Sequence, residues 1–523
     1  MNTDVVVIGG GGSGLSAAIT AAQAGARVVL LEKNPKLGGT TACSIGSISA
    51  TGTAYQKRMG IVDEPQAHFE DLALFNQEAK RPDNTALSRI LVDNVPDTFR
   101  WLNEAGIEFF GPSEELPHRQ PRMHNVMPNS RAYIYHLERL ARGAGVEIRT
   151  DCRALRFLTE GDEVTGVEYM QAGRKQTLLA TRSVVLASGD YAGDPQFRRE
   201  FMGDKVARLE PINPTNTGDG HRMALQLGAK ILNGELWSGG MRFTRPAKLP
   251  WTARLPPYQW LMRSANIALR VLPEAIVRKL LMGFLTTVLV PTPKLYKAGA
   301  IIVNRNGQRF ADETQGMPYN LASQPDAAGF IIFDGAIGEK FSKWPNYVST
   351  APGVAYAFLK DYARNRPDLY HRADTLEALA AQLGMPPAKL AATVSAYNAS
   401  NVQCGTPEGL PARGERAALS AGPWYALGPC RNYIHYTDGG LAINEGFQVL
   451  RENGTPIPRL LAAGNAGQGG ALLKGHGHHL AWAFTSGRLA GRRAAALAPR
   501  TLRPGTADTT PSITQPTHET TPA

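Results

Sequence analysis

Cysteine is scarce in this chain: Cys43, Cys152, Cys404 and Cys430 are the only four in 523 residues. They share no CxxC or CxxCH spacing, which excludes a zinc ribbon, an attached c-type haem and a disulfide framework. A reducing, cytoplasmic compartment is therefore the expectation. Long apolar runs are missing too. The longest, Leu280 to Val290, has 11 residues, well short of the roughly 20 that cross a bilayer. The start "MNTDVVVIGG" has no basic region followed by an apolar one, so export is not expected. Acidic residues are lacking in one place: from Met241 to Ala300 ten Lys and Arg face Glu274 alone, and this stretch holds +9 of the formal net charge of +11. The remainder is close to neutral, which argues against nucleic acid as a partner.

Glycine is plentiful, with 54 residues, and the length predicts more than one domain. The opening "DVVVIGGGGSGLSAAITAAQAGARVVLLEK" (Asp4 to Lys33) reads as strand, glycine turn, helix, strand. Its unbroken apolar runs suit strands buried on both faces of a parallel sheet. Gly9, Gly11 and Gly14 form G-x-G-x-x-G between strand and helix, with Gly12 and Ser13 inside the turn, and Glu32 ends the second strand. Such glycines let a pyrophosphate approach the helix N-terminus, while the acid suits ribose hydroxyls. An acid there favours FAD or NAD over NADP.

Further along, residues 64–107 and 132–143 read as helical, residues 374–400 as two helices, and the stretch from Leu460 as strand, glycine-rich loop and long helix. Thr217 and Asp219 are expected to cap a helix around His221–Leu227. The Thr- and Pro-rich tail, 501–523, is expected to be disordered.

Six motifs in order resemble the flavoprotein family of fumarate reductases, succinate dehydrogenases and 3-ketosteroid dehydrogenases. They are "EKNPKLGGTT", "SVVLASGDYAGD", "NPTNTGDGHRMA", "AIIVNRNGQRFADE", "HYTDGGLAIN" and "LLAAGNAGQGG…GRLAGRRAA". The resemblance implies an α/β fold, a Rossmann-like FAD-binding domain made of residues 1–204 and 346–500, with an inserted α+β substrate domain at 205–345. It also implies that FAD lies along Gly9, Gly11, Gly12, Ser13, Gly14, Glu32, Lys33, Gly38, Gly39, Thr40, Thr41, Ala154, Ser188, Gly189, Asp219, Gly464, Asn465, Gly477, His479 and Leu480. Relatives with covalent flavin carry a His after the second glycine pair. Here the stretch is "GGTTACSIGS", so non-covalent FAD is expected.

The substrate end departs from the fumarate reductases. The loop after "RFADE" holds Tyr319 and no Arg, and Lys474 stands where those enzymes place an arginine. Ketosteroid dehydrogenases use tyrosines, and Tyr436 follows His435 in "IHYTDGG". The preferred expectation is hydride and proton transfer across a C–C bond beside a carbonyl of an apolar substrate such as a 3-ketosteroid. Tyr319 and Tyr436 would serve proton transfer, and His435 and Lys474 electrostatics. The alternative is a reductase of a small unsaturated acid, fumarate- or urocanate-like, anchored by Lys474. Either way an electron donor or acceptor outside this chain is required. His476, His478 and His479 stand too close together on one turn to share an ion, so no metal is expected.

The basic insert, 241–300, contains Trp, Leu and Ile at spacings of three and four between Trp251 and Lys297. That pattern predicts amphipathic helices. They would either lie on a membrane surface or cover a subunit contact or the active site.

Overall fold

The structure is a computed structural model that describes residues 2–248, 250–287, 290–313, 315, 319–351, 355–400 and 409–501. Tail residues 502–523 and Cys404 lie outside the described residues.

Two large cores divide the described residues, with a small third cluster at Ala192, Val206, Leu209 and Ile434. In the first, strands Asn2–Ile8, Val28–Leu31, Glu147–Arg149, Arg174–Leu186 and Pro456–Ala462 pair in parallel. Asn2–Ile8 lies between Val28–Leu31 and Arg174–Leu186 in an eight-stranded sheet. Val6 sits opposite both Val29 and Val184, and all four side chains of Val28–Leu31 are buried, as the unbroken apolar runs predicted. Four of these strands end at Ile8, Leu31, Leu186 and Ala462 and release their loops at one edge of the sheet. Open parallel sheets bind ligands at that edge.

Helices Gly12–Gln23 and His478–Ala496 pack on this sheet in backbone contact. A Cβ added to Gly487 would stand 2.4 Å from the Ser13 carbonyl oxygen, and one on Gly491 2.3 Å from that of Ala17. These two glycines are therefore what brings the ends of the chain together.

The second core is built on Trp424–Thr437, a 14-residue strand. It pairs with Glu210–Pro211, Trp237–Phe243, Gly329–Phe333 and Tyr370–Ala373, while Ile301–Val303 adds to the outer edge. Phe341, Tyr362, Leu379, Leu390 and Tyr397 are buried in this core. The described residues of 346–437, which the resemblance joined to the FAD domain, thus belong with the inserted one. The chain returns to the first core at Leu441. Helices Leu376–Leu383 and Pro387–Ala399 are where two helices were expected, but nothing in their amphipathicity says which sheet they cover.

The helix near His221 runs Asp219–Leu225 behind Gly218, with no side-chain cap. Thr217 and Asp219 instead accept hydrogen bonds from Lys33 Nζ at 2.7 and 2.9 Å.

Gly491→Val should force the first and last helices apart and lower stability by about 1–3 kcal/mol, the usual cost of overpacking. Urea unfolding of the purified protein checks this, with a fall in midpoint at unchanged slope expected.

Candidate functional site

A cavity of about 460 Å³ runs from the carboxyl edge of the parallel sheet to the second domain. At one end its wall is the opening turn. Gly9 has φ +108°, and a Cβ there would stand 2.4 Å from the Ala187 carbonyl oxygen, so only glycine lets the turn lie this close to the neighbouring strand. At Gly11 an added Cβ would make only ordinary contact, with the Gly38 carbonyl oxygen at 3.8 Å. Buried Glu32 accepts the Gly10 N–H at 2.7 Å through Oε2 and both Asn34 donors, at 2.8 and 2.7 Å, through Oε1. The acid therefore braces the glycine turn as well as facing the cavity.

Helix Gly12–Gln23 starts at this wall behind Gly11, which has no side chain to cap it, although the Gly12 N–H donates to Thr41 Oγ1 at 3.1 Å. Helix His478–Ala496 starts at the far wall behind Gly477, φ +85°, also without a side-chain cap. Helix N-termini present their remaining free N–H groups and partial positive charge to an anionic ligand. One elongated cavity with such a terminus at each end, glycine-lined at the first, suits a dinucleotide carrying a pyrophosphate at one end and an electron-accepting ring at the other. FAD fits these residues.

Of the expected FAD contacts, Gly9, Gly11, Gly12, Ser13, Glu32, Lys33, Gly39, Thr40, Thr41, Ala154, Ser188, Gly189, Asp219, Asn465, Gly477, His479 and Leu480 line the cavity. Gly14, Gly38 and Gly464 stand behind that wall. A Cβ on Gly14 would meet the Gly9 carbonyl oxygen at 1.8 Å, and one on Gly464 the Ser13 hydroxyl at 2.6 Å. Their part is close packing.

The second domain closes the cavity with Ser238, Arg242, His435 and Tyr436. Ser238 and Arg242 are four residues apart on one strand and so share a face. Ser238 pairs with Tyr436 and Gly239 with Ile434, which leaves His435 as the extra residue of a bulge. The bulge is why two consecutive side chains, His435 and Tyr436, both reach the cavity.

Burial, with Asp438 nearby, pushes the Tyr436 phenol well above its ordinary range, so it stays protonated. Its ring lies 4.1 Å from that of His479, centroid to centroid. Burial, then Arg242 and His476, pulls His435 down to about 3, leaving it neutral. Burial, then Arg245, lowers the Arg242 guanidinium to about 10, still charged at neutral pH. Among the described residues no carboxylate pairs with Arg242, and its Nε has no hydrogen-bond partner.

Two expected site residues lie elsewhere. Tyr319 is half-exposed, meets Trp237 edge-on at 6.2 Å, and is absent from the cavity wall. Lys474 Nζ donates to buried Asp438 at 2.6 Å, and that carboxylate also faces His479 Nε2 at 3.2 Å. The lysine charge is thus neutralised within the protein. Arg242 went unread because it was counted only among the cations of the insert, although the alternation Ser238, Gly240, Arg242 along a strand would have set it apart.

The histidines of "KGHGHH" separate. His476 and His479 line the cavity. His476 Nδ1 is hydrogen-bonded to Glu115, which raises its pKa. His478 turns away and joins buried His68 and His118, whose nitrogens come within 4.8 Å of one another. Arg122 can only donate to His118 Nδ1, at 2.8 Å, and the Lys474 carbonyl can only accept from His478 Nδ1, at 2.6 Å. His68 Nε2 then donates to His478 Nε2 at 3.1 Å. These tautomers link His68 to His478 and tie His118 to Arg122 behind the cavity-lining turn, with the Nε2 atoms of His68 and His118 protonated.

The family model described as FAD binding domain matches residues 4–241 and 269–475. The chain belongs to this family. It is an FAD-dependent oxidoreductase. It is similar to a probable fumarate reductase of Shewanella frigidimarina, 26% identical over 508 residues, 94% of this chain and 75% of the relative. Among solved structures it is similar to the open conformation of a flavocytochrome c3 fumarate reductase, with TM-score 0.70 and 25% identity over 94% of this chain and 78% of that one. A 3-ketosteroid delta1-dehydrogenase from Sterolibacterium denitrificans shares the fold, with TM-score 0.63 and 20% identity over 95% and 99% of the two chains. No helix among the described residues is long and apolar enough to cross a membrane.

Glu32→Ala removes the acceptor for three donors of the turn. Hydrogen bonds to a charged group are worth about 1.5–3 kcal/mol each, so the Kd for FAD, followed by fluorescence titration of apoprotein, should rise at least tenfold. The raised pKa of His476 stabilises the fold below the unfolded-state value near 6.5, a contribution lost as pH rises through the folded-state value. The melting-temperature deficit of His476→Gln should therefore be largest near about pH 6 and shrink towards about pH 9.

Proposed function

We propose that this oxidoreductase reduces a carbon–carbon double bond conjugated to a carboxylate, the fumarate- or urocanate-like alternative, in preference to a steroid enone. The observation that carries the proposal is Arg242: a charged guanidinium on the wall of the cavity, without an acidic partner among the described residues. A half-buried charge left unpaired on a cavity wall is unfavourable, and a substrate carboxylate would supply the missing partner in a bidentate geometry that suits arginine. The steroid reading relied on two tyrosines, and with Tyr319 off the cavity wall one of them is lost.

Bound FAD supplies hydride chemistry. The protein holds the substrate and manages charge and protons. Arg242 anchors the carboxylate and attracts the negative charge that builds on it as the distal alkene carbon gains hydride. Tyr436, neutral at working pH, donates the proton to the carbon beside the carboxylate. His435, also neutral, places no competing cation next to Arg242. Thr40 and Thr41 follow the Gly38–Gly39 pair where covalent relatives carry a His, so FAD is held without a covalent bond. Electrons arrive from a donor outside this chain.

Anaerobically reduced enzyme mixed with fumarate or urocanate should regain the oxidised flavin spectrum, whereas a 3-ketosteroid enone should leave it reduced. The reverse pattern would overturn the proposal. Arg242→Gln should lower kcat/KM for the acid by about 30-fold or more, the loss expected from truncating one side of a buried charge pair at 2–5 kcal/mol. Tyr436→Phe should lower kcat by roughly 10²- to 10⁴-fold with KM little changed. Acid precipitation should release the yellow colour into the supernatant.

A further inference from the structure

Beyond Arg242 at its start, the basic insert answers to nothing in the chemistry above. Residues 242–268 fall in the gap of the family match, and the chain leaves the cavity wall at Arg242 and rejoins it at Val290. Between them stands helix Gln259–Val271. Met262 and Asn266 are its buried side, Asn266 donating to the Phe109 carbonyl at 2.8 Å. Arg263 holds Glu108 at 2.7 Å, Asn129 donates to the Ala253 carbonyl at 2.7 Å, and His136 meets that of Pro257 at 2.7 Å. The insert is thus fastened to the FAD domain by polar contacts on one side.

Its other side is apolar and open to solvent. Trp260, Ile267 and Val271 are 69%, 63% and 75% exposed. At about 100° per residue they fall within a sector of about 40°, opposite Met262 and Asn266. Exposed Trp251 precedes this helix, on a turn packed against helix Glu274–Leu285, which exposes Ile276. Single exposed apolar residues are ordinary, but an aligned set on consecutive elements calls for a partner. Exposed Arg245, Lys248, Arg254, Arg270 and Lys279 accompany it.

We infer that this face docks on an anionic lipid surface. Tryptophan and aliphatic side chains enter the interface while the surrounding cations meet lipid phosphates and carboxylates. The charge of the face selects this occupant: a second copy of the chain would bring the same exposed cations, Arg245, Lys248, Arg254, Arg270 and Lys279, against it. The inference is independent of which double bond is reduced.

The test is co-sedimentation of FAD-loaded protein with vesicles of phosphatidylcholine alone or with about one third phosphatidylserine. Expected is binding to the mixed vesicles at low salt, at least tenfold weaker binding to pure phosphatidylcholine, and release at about 0.5 M NaCl. Trp260→Ser with Ile267→Ser, and separately Arg254→Glu with Arg270→Glu and Lys279→Glu, should each cut the bound fraction tenfold or more while flavin content and melting temperature stay unchanged. Absence of binding to anionic vesicles, or binding that the variants retain, would overturn the inference. So would a protein dimer in sedimentation velocity that Trp260→Ser with Ile267→Ser dissociates.

Discussion

The contact on which the site depends is backbone against backbone: Gly487 and Gly491 of the last helix lie on Ser13 and Ala17 of the first. Small residues are needed because any Cβ there would enter a carbonyl oxygen. The contact fixes where the last helix begins, and with it the position of Gly477, His479 and Leu480 on the cavity wall. Residues nearly five hundred positions apart thereby face one another across a single space. The first helix also carries the glycine turn, so one packing constraint sets both ends of the cofactor cradle.

Around that frame the protein separates its charges by burial. Lys474 and Asp438 neutralise each other, and Arg122 is held between Asp63 and Asp71. Arg242 is treated differently, since it enters the cavity without such a partner among the described residues. A fold that pairs these buried cations and leaves Arg242 open toward the ligand space has an electrostatic demand that a substrate can meet. Tyr436 and His435, both neutral for reasons of burial, keep that demand from being diluted.

The legibility of the chain was uneven. The parallel strands and glycine turn were readable because burial on both faces leaves apolar runs and because the turn admits no side chain. The boundary at residue 346 was misplaced because Tyr370–Ala373 and Trp424–Thr437 are ordinary strand patterns, and a pattern does not name the sheet it joins. Tyr319 and Lys474 were assigned by position in a motif order. The structure gives Tyr319 a place beside Trp237 and Lys474 a carboxylate, neither of which leaves a local trace.

What the sequence determined by itself is the cofactor end: glycine spacing, the acid after the second strand and the closing glycine-rich helix are local devices, each legible within some thirty residues. The substrate end was decided by tertiary structure. A bulge turns His435 and Tyr436 to one side, and strand pairing sets Arg242 on the cavity wall beside them. Glu115 reaches His476 from 361 positions away. Such groups acquire their chemistry from neighbours and from exclusion of water, and those exist only once the chain has folded.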